Sequence, residues 1–435
     1  MKSRIYMPQI AGLLGLALLV GTVPAWSAEL SSSDWPQFRG PTGQGVASSN
    51  AAPIRWSESE NIAWKTPIPG KGWSSPVVQG NRIWMTTATE EGLSLRAICV
   101  DRQSGKLLKD IEVFKLPEPL SINAKNSHAS PTPVLEGGRV YVHFGSMGTA
   151  CLNSQSGEIL WTNRDQQVEH KEGPGSSPIL YKDLLIFHCD GMDKQYIVAL
   201  NKQTGKEVWK TARSGVPHPR LEQRKAYCTP LVIEVDGQKQ LISPAADRVF
   251  AYDPATGREI WKVEYKGFSN VPRPLFNDGQ LIICTGFMKP EMWAIRPQAI
   301  TNDSELQDLS ASNVNWKVTS QIPANPSPIW IDGRVYLVSD QGVASCLDAK
   351  TGKTIWKERM GGNFSSSLVQ IGNRIYFSNE TGTTTVIEAG EKFNQLAVNE
   401  IDGQIMASLA VLHDGIFLRS DTHLYKIQDG ATAAK

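Results

Sequence analysis

The chain has 435 residues, 40% of them hydrophobic and 20% charged, with 37 glycines and 26 prolines, a mixture too apolar for a disordered chain and too irregular for collagen. Its 44 Lys and Arg against 43 Asp and Glu leave a formal net charge of +1, so no global field exists to hold a phosphate backbone or an anionic lipid surface. This argues against a nucleic-acid partner, and the length leaves room for several domains or one large closed repeat.

Lys2 and Arg4 precede an apolar stretch from Ile10 to Val23, followed by the small residues of Ala25-Trp26-Ser27-Ala28. The stretch is too short for a bilayer of about 30 Å, which takes about 20 residues, and reads as a secretory signal cleaved after Ser27 or Ala28. The first cysteine is Cys99, so no lipid anchor is expected, and the protein is predicted in the periplasm or outside the cell with no membrane span. Residues 29–61 read as an extended segment. Export permits disulfides, but Cys99, Cys151, Cys189, Cys228, Cys284 and Cys346 show no adjacent pair and no CxxC, and small buried apolar side chains describe them best.

From Trp73 the sequence repeats. Trp73-Ser-Ser-Pro-Val-Val-Gln-Gly-Asn-Arg-Ile-Trp84 returns as Ser130-Pro-Thr-Pro-Val-Leu-Glu-Gly-Gly-Arg-Val-Tyr141, as Ser177-Pro-Ile-Leu-Tyr-Lys-Asp-Leu-Leu-Ile186 and as Ser327-Pro-Ile-Trp-Ile-Asp-Gly-Arg-Val-Tyr336. Two short runs rich in β-branched and aromatic residues around a Gly or Asp break predict a hairpin. A second spacing follows in Asn153…Gly157…Trp161, Asn201…Gly205…Trp209, Asp253…Gly257…Trp261 and Asp348…Gly352…Trp356. There Asp or Asn opens a turn and Gly supplies a positive φ, which predicts a second hairpin with Trp on the outer strand. Four strands per unit make a propeller blade.

First strands open at Val77, Val134, Ile179, Leu231, Leu275, Ile329, Leu368 and Leu409, about 46 residues per unit, in the range of propeller repeats. The last unit stops one strand short, while Ile62-Ala-Trp64-Lys65 precedes the first unit and matches the outer strands. Pairing of 62–66 with the C-terminal strands would close the ring and remove both sheet edges. The predicted organisation is a signal peptide at 1–28, an extended segment at 29–61, an all-β, eight-bladed β-propeller of four-stranded antiparallel blades at 62–430 and a tail at 431–435. A polar insertion at 301–312 and a degraded turn at Glu388-Ala-Gly390 leave seven blades as the alternative count.

The Asp-x-x-Thr-Gly-x-x-x-Trp turn with its upstream Ser-Pro strand resembles the repeat of pyrroloquinoline-quinone-like propellers over nearly the whole mature chain, which implies a quinoprotein alcohol dehydrogenase-like fold. Asp34-Trp-Pro-Gln-Phe-Arg-Gly-Pro-Thr-Gly-Gln-Gly45 is further similar to the start of secreted planctomycete propellers of unassigned activity. The repeat is shared by quinoprotein dehydrogenases and by the propeller lipoprotein of the outer-membrane barrel-assembly machine. The dehydrogenases carry a vicinal cysteine pair, a Ca²⁺ site and a catalytic Asp, and no Cys-Cys occurs here. The expected function is therefore a secreted, monomeric, non-catalytic binding module for a protein or glycan, with no cofactor. The alternative is a dehydrogenase of alcohols or sugars using pyrroloquinoline quinone (PQQ) and Ca²⁺.

Ligands of propellers collect on the channel face. The repeat places Trp73, Asn126, His128, Arg220, Tyr227, Arg273 and Asn363 there, stackers and planar donors suited to a sugar-like, peptide or quinone-like ligand. No catalytic residue is singled out. His143 and His188 fall at one aligned place, but neighbouring blades lie about 10 Å apart and Zn–N bonds need about 2.1 Å, so no metal is expected. Asp190, Asp193, Asp247, Asp340, Glu380 and Asp421 show no spacing that selects a Ca²⁺ set. The recurring Trp64, Trp161, Trp209, Trp261, Trp316 and Trp356 are assigned to docking between blades.

Overall fold

The computed structural model describes Met1, residues 34–300 and residues 305–432. The proposed leader, 1–28, apart from Met1, and part of the polar insertion lie outside them. Among the described residues the strands form eight sheets in ring order, seven antiparallel sheets of four strands and one of five. Blade 1 comprises Val77–Gln79, Arg82–Thr89, Ser94–Asp101 and Leu107–Lys115. Six more blades follow the same plan, and the eighth combines Ala410–Leu412, Gly415–Arg419 and His423–Thr432 with Glu60–Pro67. The fold is thus the expected eight-bladed propeller. The closing strands run one or two residues past the expected bounds, Trp64 facing Lys426 and Lys65 facing Tyr425. Arg419 reinforces the seam by donating to Ser74 O at 3.0 Å and Thr86 O at 2.8 Å in blade 1.

The degraded unit keeps its outer strand, Asn394–Glu400. The insertion contributes Gln307–Asp308, which pairs parallel with the outer strand Glu259–Glu264 of blade 4 and makes that sheet five-stranded.

The hydrophobic core consists of layers between blades. Tyr141, Cys151 and Trp161 of blade 2, for example, pack on Leu185, Phe187 and Cys189 of blade 3. Four of the turn glycines do more than supply φ, because the preceding blade's indole lies on each of them. Trp64 covers Gly105, Trp161 covers Gly205, Trp209 covers Gly257 and Trp316 covers Gly352; a Cβ would sit 2.6 Å from Trp64 at Gly105 and 2.7 Å from Trp316 at Gly352. Three of these indoles also cap a carbonyl of the same turn, Trp161 Nε1 donating to Lys202 O at 3.0 Å, Trp64 Nε1 to Arg102 O at 3.2 Å and Trp316 Nε1 to Ala349 O at 3.0 Å. All six cysteines are free and buried, and burial pushes the Cys99 thiol up to about 12.

Residues 34–57 form a strap across the ring. Trp35 exchanges backbone bonds with Val78 at 2.8 Å in blade 1, and Leu135 N–H of blade 2 donates to Pro36 O at 2.8 Å. On the far side Arg39 donates to Ser327 O at 3.0 Å and Pro328 O at 2.7 Å, Ala47 N–H reaches Gln370 O at 2.9 Å, and Trp56 stacks on Tyr376 with centroids 6.2 Å apart. The segment expected only to be extended therefore spans the central channel. Its glycines allow this: Gly43 (φ 69°) packs on Arg273 and Gly45 (φ 80°) on Arg39, where a side chain would collide.

Candidate functional site

The residue two positions before each first strand lies on a ring around the channel. These residues are Ser75, Thr132, Ser177, Thr229, Arg273, Ser327, Ser367 and Ser408. Proline follows at Pro76, Pro133, Pro178, Pro230, Pro274 and Pro328, which holds the residue before it extended. The backbone N–H of one blade then meets the hydroxyl of the next. Ser75 N–H donates to Thr132 Oγ1 at 3.0 Å, Thr132 to Ser177 at 2.9 Å and Ser177 to Thr229 at 3.1 Å. Across the ring Arg273 N–H donates to Ser327 Oγ at 3.0 Å, Ser327 to Ser367 at 3.0 Å, Ser367 to Ser408 at 2.9 Å and Ser408 back to Ser75 at 3.0 Å. The ring is broken at one place, between Thr229 and Arg273, where blade 5 has arginine for the hydroxyl.

Above this ring lies a cavity of about 480 Å³ with Phe38 of the strap and Ser75, Thr132, Ser177, Thr229, Ser367 and Ser408 in its lining. Of the sequence-predicted residues it brings together Trp73, Asn126 and Tyr227. Trp73 is half-buried, its Nε1 donating to Lys125 O at 3.0 Å and Lys71 Nζ lying 5.2 Å from its ring. Asn126 ties two inter-blade links together, Nδ2 donating to Glu172 O at 2.7 Å and Pro174 O at 3.1 Å. Tyr227 donates its hydroxyl to Glu172 Oε2 at 2.7 Å, and Lys225 Nζ reaches the same oxygen at 2.5 Å. Burial, then that carboxylate, hold the Tyr227 hydroxyl well above its ordinary pKa, so it acts as a donor.

Arg273 is buried beneath the ring, Nη1 donating to Phe38 O at 2.7 Å. Desolvation lowers it to about 10 and Arg39 to about 9, Arg39 also feeling Arg273; no carboxylate figures among the influences on either. Like Arg273, three more of the expected residues stand outside the cavity lining. His128 packs on Gly92 with Nε2 2.7 Å from Leu120 O, a wedge inside a link. Arg220 is exposed at the start of the 3₁₀ turn Leu221–Gln223, and Asn363 is exposed with its carbonyl taken by Glu380 N–H at 2.7 Å. The alignment located links correctly, but it does not say which residue of a link turns inward.

Sequence reading placed Lys225 on this face but missed Glu172, Phe268, Phe287 and Met288. All line the cavity, Phe268 and Phe287 meeting edge-on at 6.3 Å, with Phe287 55% and Met288 72% exposed. These sit in links without periodicity and left no signal. The hydroxyl ring did leave one, as Ser or Thr recurring two residues before seven of the eight first strands.

His143 and His188 are buried separately. His143 Nδ1 is 2.8 Å from Thr149 Oγ1, while His188 Nδ1 is 3.0 Å from Arg213 and 3.2 Å from Asp190. Among the described residues no three His, Cys, Asp or Glu side chains converge as a metal set. Burial, with His170 and His188 nearby, lowers His143 to about 3, against an ordinary 6.5. Below pH 6.5 the unfolded chain binds a proton that the native site refuses, so stability is present above pH 6.5 and falls with pH. At pH 5 the loss from His143 alone is about 2 kcal/mol. Urea unfolding at pH 7 and pH 5 checks this, and His143→Phe is expected to reduce the difference by that amount.

Comparison with known proteins agrees with this architecture. A family model described as outer membrane protein assembly factor BamB matches residues 302–393. The chain is similar to the tetrathionate hydrolase of Acidithiobacillus ferrooxidans, 19% identical over 356 residues, a match that covers 74% of this chain and only 66% of that protein's length. Among solved structures it is similar to a europium-containing methanol dehydrogenase, with TM-score 0.71, 10% identity and 91% of each chain covered. The quinohemoprotein alcohol dehydrogenase of Comamonas testosteroni gives 0.64 at 13% identity, covering 92% of this chain and 81% of that one. BamB of Moraxella catarrhalis gives 0.56 at 12% identity, covering 84% and 99%. At such identities the likeness is one of fold. The chain is an eight-bladed β-propeller, and its residues 302–393 match the BamB-type repeat.

Proposed function

We propose that this propeller is an exported, monomeric, non-catalytic binding module that holds a segment of a protein partner in its channel-face cavity. The observation that carries the reading is the cavity itself, blocked at its floor by the strap and opened at its mouth by an apolar lip. Large exposed apolar side chains beside a concave site mark recognition surfaces. Phe287 and Met288 form that lip, and Met288 (φ 70°) and Ser269 (φ 54°) hold left-handed backbone on facing links, a strain that persists where the surroundings enforce it. An adaptable thioether and an edge-on aromatic pair suit peptide side chains better than sugar faces. The compartment is the periplasm or the exterior, in keeping with the leader; among the described residues no helix is long and apolar enough to cross a membrane.

The quinone and Ca²⁺ of the alternative reading fit the residues present poorly. The cavity's two carboxylates are taken, Glu172 by Lys225 and Tyr227 and Glu222 by Lys171 at 2.7 Å, so Ca²⁺ would have to displace a lysine from either one. The cysteines are dispersed and buried. We therefore derive no chemistry through the quinone.

Screening the purified protein on peptide and glycan arrays tests the reading. Peptide ligands are expected, weakened at least tenfold by Trp73→Ala and by Phe287→Ser and unchanged by Ile355→Ser on an outer strand. Binding lost only in the outer-strand variant would move the site to the blade edges, and glycan hits alone would replace the peptide by a sugar.

A further inference from the structure

We propose that the break in the hydroxyl ring at blade 5 is an oxyanion seat, so that the ligand of the channel face carries a carboxylate or sulfate group; this rests on the channel-face reading above. Seven of the eight ring N–H groups donate to the hydroxyl of the next blade. The exception is Thr229. Its N–H finds no acceptor among the described residues, although the residue is 3% exposed and lines the cavity. The side chain standing where that acceptor should be is Arg273, which has only donors.

The hydroxyls and the guanidinium beside the break offer further unfilled donors. Thr229 Oγ1 and Ser327 Oγ each accept an N–H from the preceding blade, and neither hydroxyl proton has an acceptor among the described residues. Arg273 gives Nη1 to Phe38 O, but its Nε is buried without a partner. A buried group of unfilled donors requires an acceptor. Arg273, with Arg39 close behind it and no carboxylate paired with either, adds positive charge that favours an oxyanion over a neutral carbonyl or a water. Anchoring the strap explains one nitrogen of Arg273. It explains neither the unpartnered Nε nor the unsatisfied Thr229 N–H.

The test is calorimetric titration of the full chain with sodium sulfate, sodium acetate and sodium chloride at matched ionic strength. Saturable binding of sulfate or acetate but not chloride is expected; sulfate alone would identify a sulfate-type group and acetate alone a carboxylate. Arg273→Ser restores the eighth hydroxyl, gives Thr229 N–H its acceptor and removes the charge, and is expected to weaken oxyanion binding at least tenfold. Arg273→Gln, which keeps a donor for Phe38 O, is expected to weaken it as well and guards against loosening of the strap. Equal responses to the three salts, or wild-type binding in both variants, would overturn the proposal. Because these salts are titrated without a partner, failure here leaves the peptide-binding result standing, and failure of the arrays leaves this one standing.

Discussion

Deletion of residues 62–66 is expected to abolish cooperative folding or to lower the melting temperature by about 10 °C. The strand Glu60–Pro67 is the outer strand of the last blade, and within it Ile62 is 4% and Trp64 8% exposed. Removing a buried Trp costs about 3–5 kcal/mol and a buried Ile about 2–5, against a total stability on the order of 5–15 kcal/mol. The deletion also exposes the edge of His423–Thr432 and uncovers Gly105 of blade 1, on which Trp64 lies. Calorimetry checks it, with self-association monitored by light scattering because an open edge recruits other chains. An unchanged melting temperature would mean that the ring is not held shut by this strand.

Arg39→Ala is expected to cost about 3–5 kcal/mol and to free the strap from the channel. The guanidinium donates to Ser327 O, Pro328 O and Gln44 O at 3.0, 2.7 and 2.7 Å with the residue 1% exposed. Truncation leaves three carbonyls without this donor, each costing about 1–3 kcal/mol where water does not replace it. Lysine is expected to recover little, because one ammonium does not reproduce the fork that reaches carbonyls on both sides. Hydrogen exchange separates loosening from global unfolding, since the amide of Ala47, bonded to Gln370 O at 2.9 Å, should lose protection while blade 3 amides keep theirs. Protection unchanged at Ala47 would show that the strap is held by its aromatic contacts instead.

The blades were legible because each repeats one solution to one packing problem. Val77, Val134, Ile179, Leu231, Leu275 and Ile329 open first strands as expected, and the last two open one residue later than read, at Val369 and Ala410. The Trp spacing also signalled its role correctly, though the partner of Trp64, Trp161, Trp209 and Trp316, a glycine in the next blade, lies outside its own repeat unit. The channel was less legible for the same reason. A Ser-Pro pair reads locally as a strand opener, while its hydroxyl serves the preceding blade's amide some 40 to 57 residues away in sequence. Arg273 was visible as a departure from that pattern, but its meaning depends on Phe38 and Thr229, which only the closed ring brings to it. Glu172, Phe268 and Phe287 had no repeat to mark them.

The central claim is that the channel face binds and does not oxidise. The direct measurement is to incubate the purified protein with pyrroloquinoline quinone and Ca²⁺, follow quinone binding by absorbance, and assay reduction of an artificial acceptor dye with a panel of alcohols and sugars. The account predicts no tight stoichiometric binding and no substrate-dependent reduction, because Glu172 and Glu222 are held by Lys225 and Lys171. Stoichiometric quinone binding with turnover of any alcohol or sugar would contradict it.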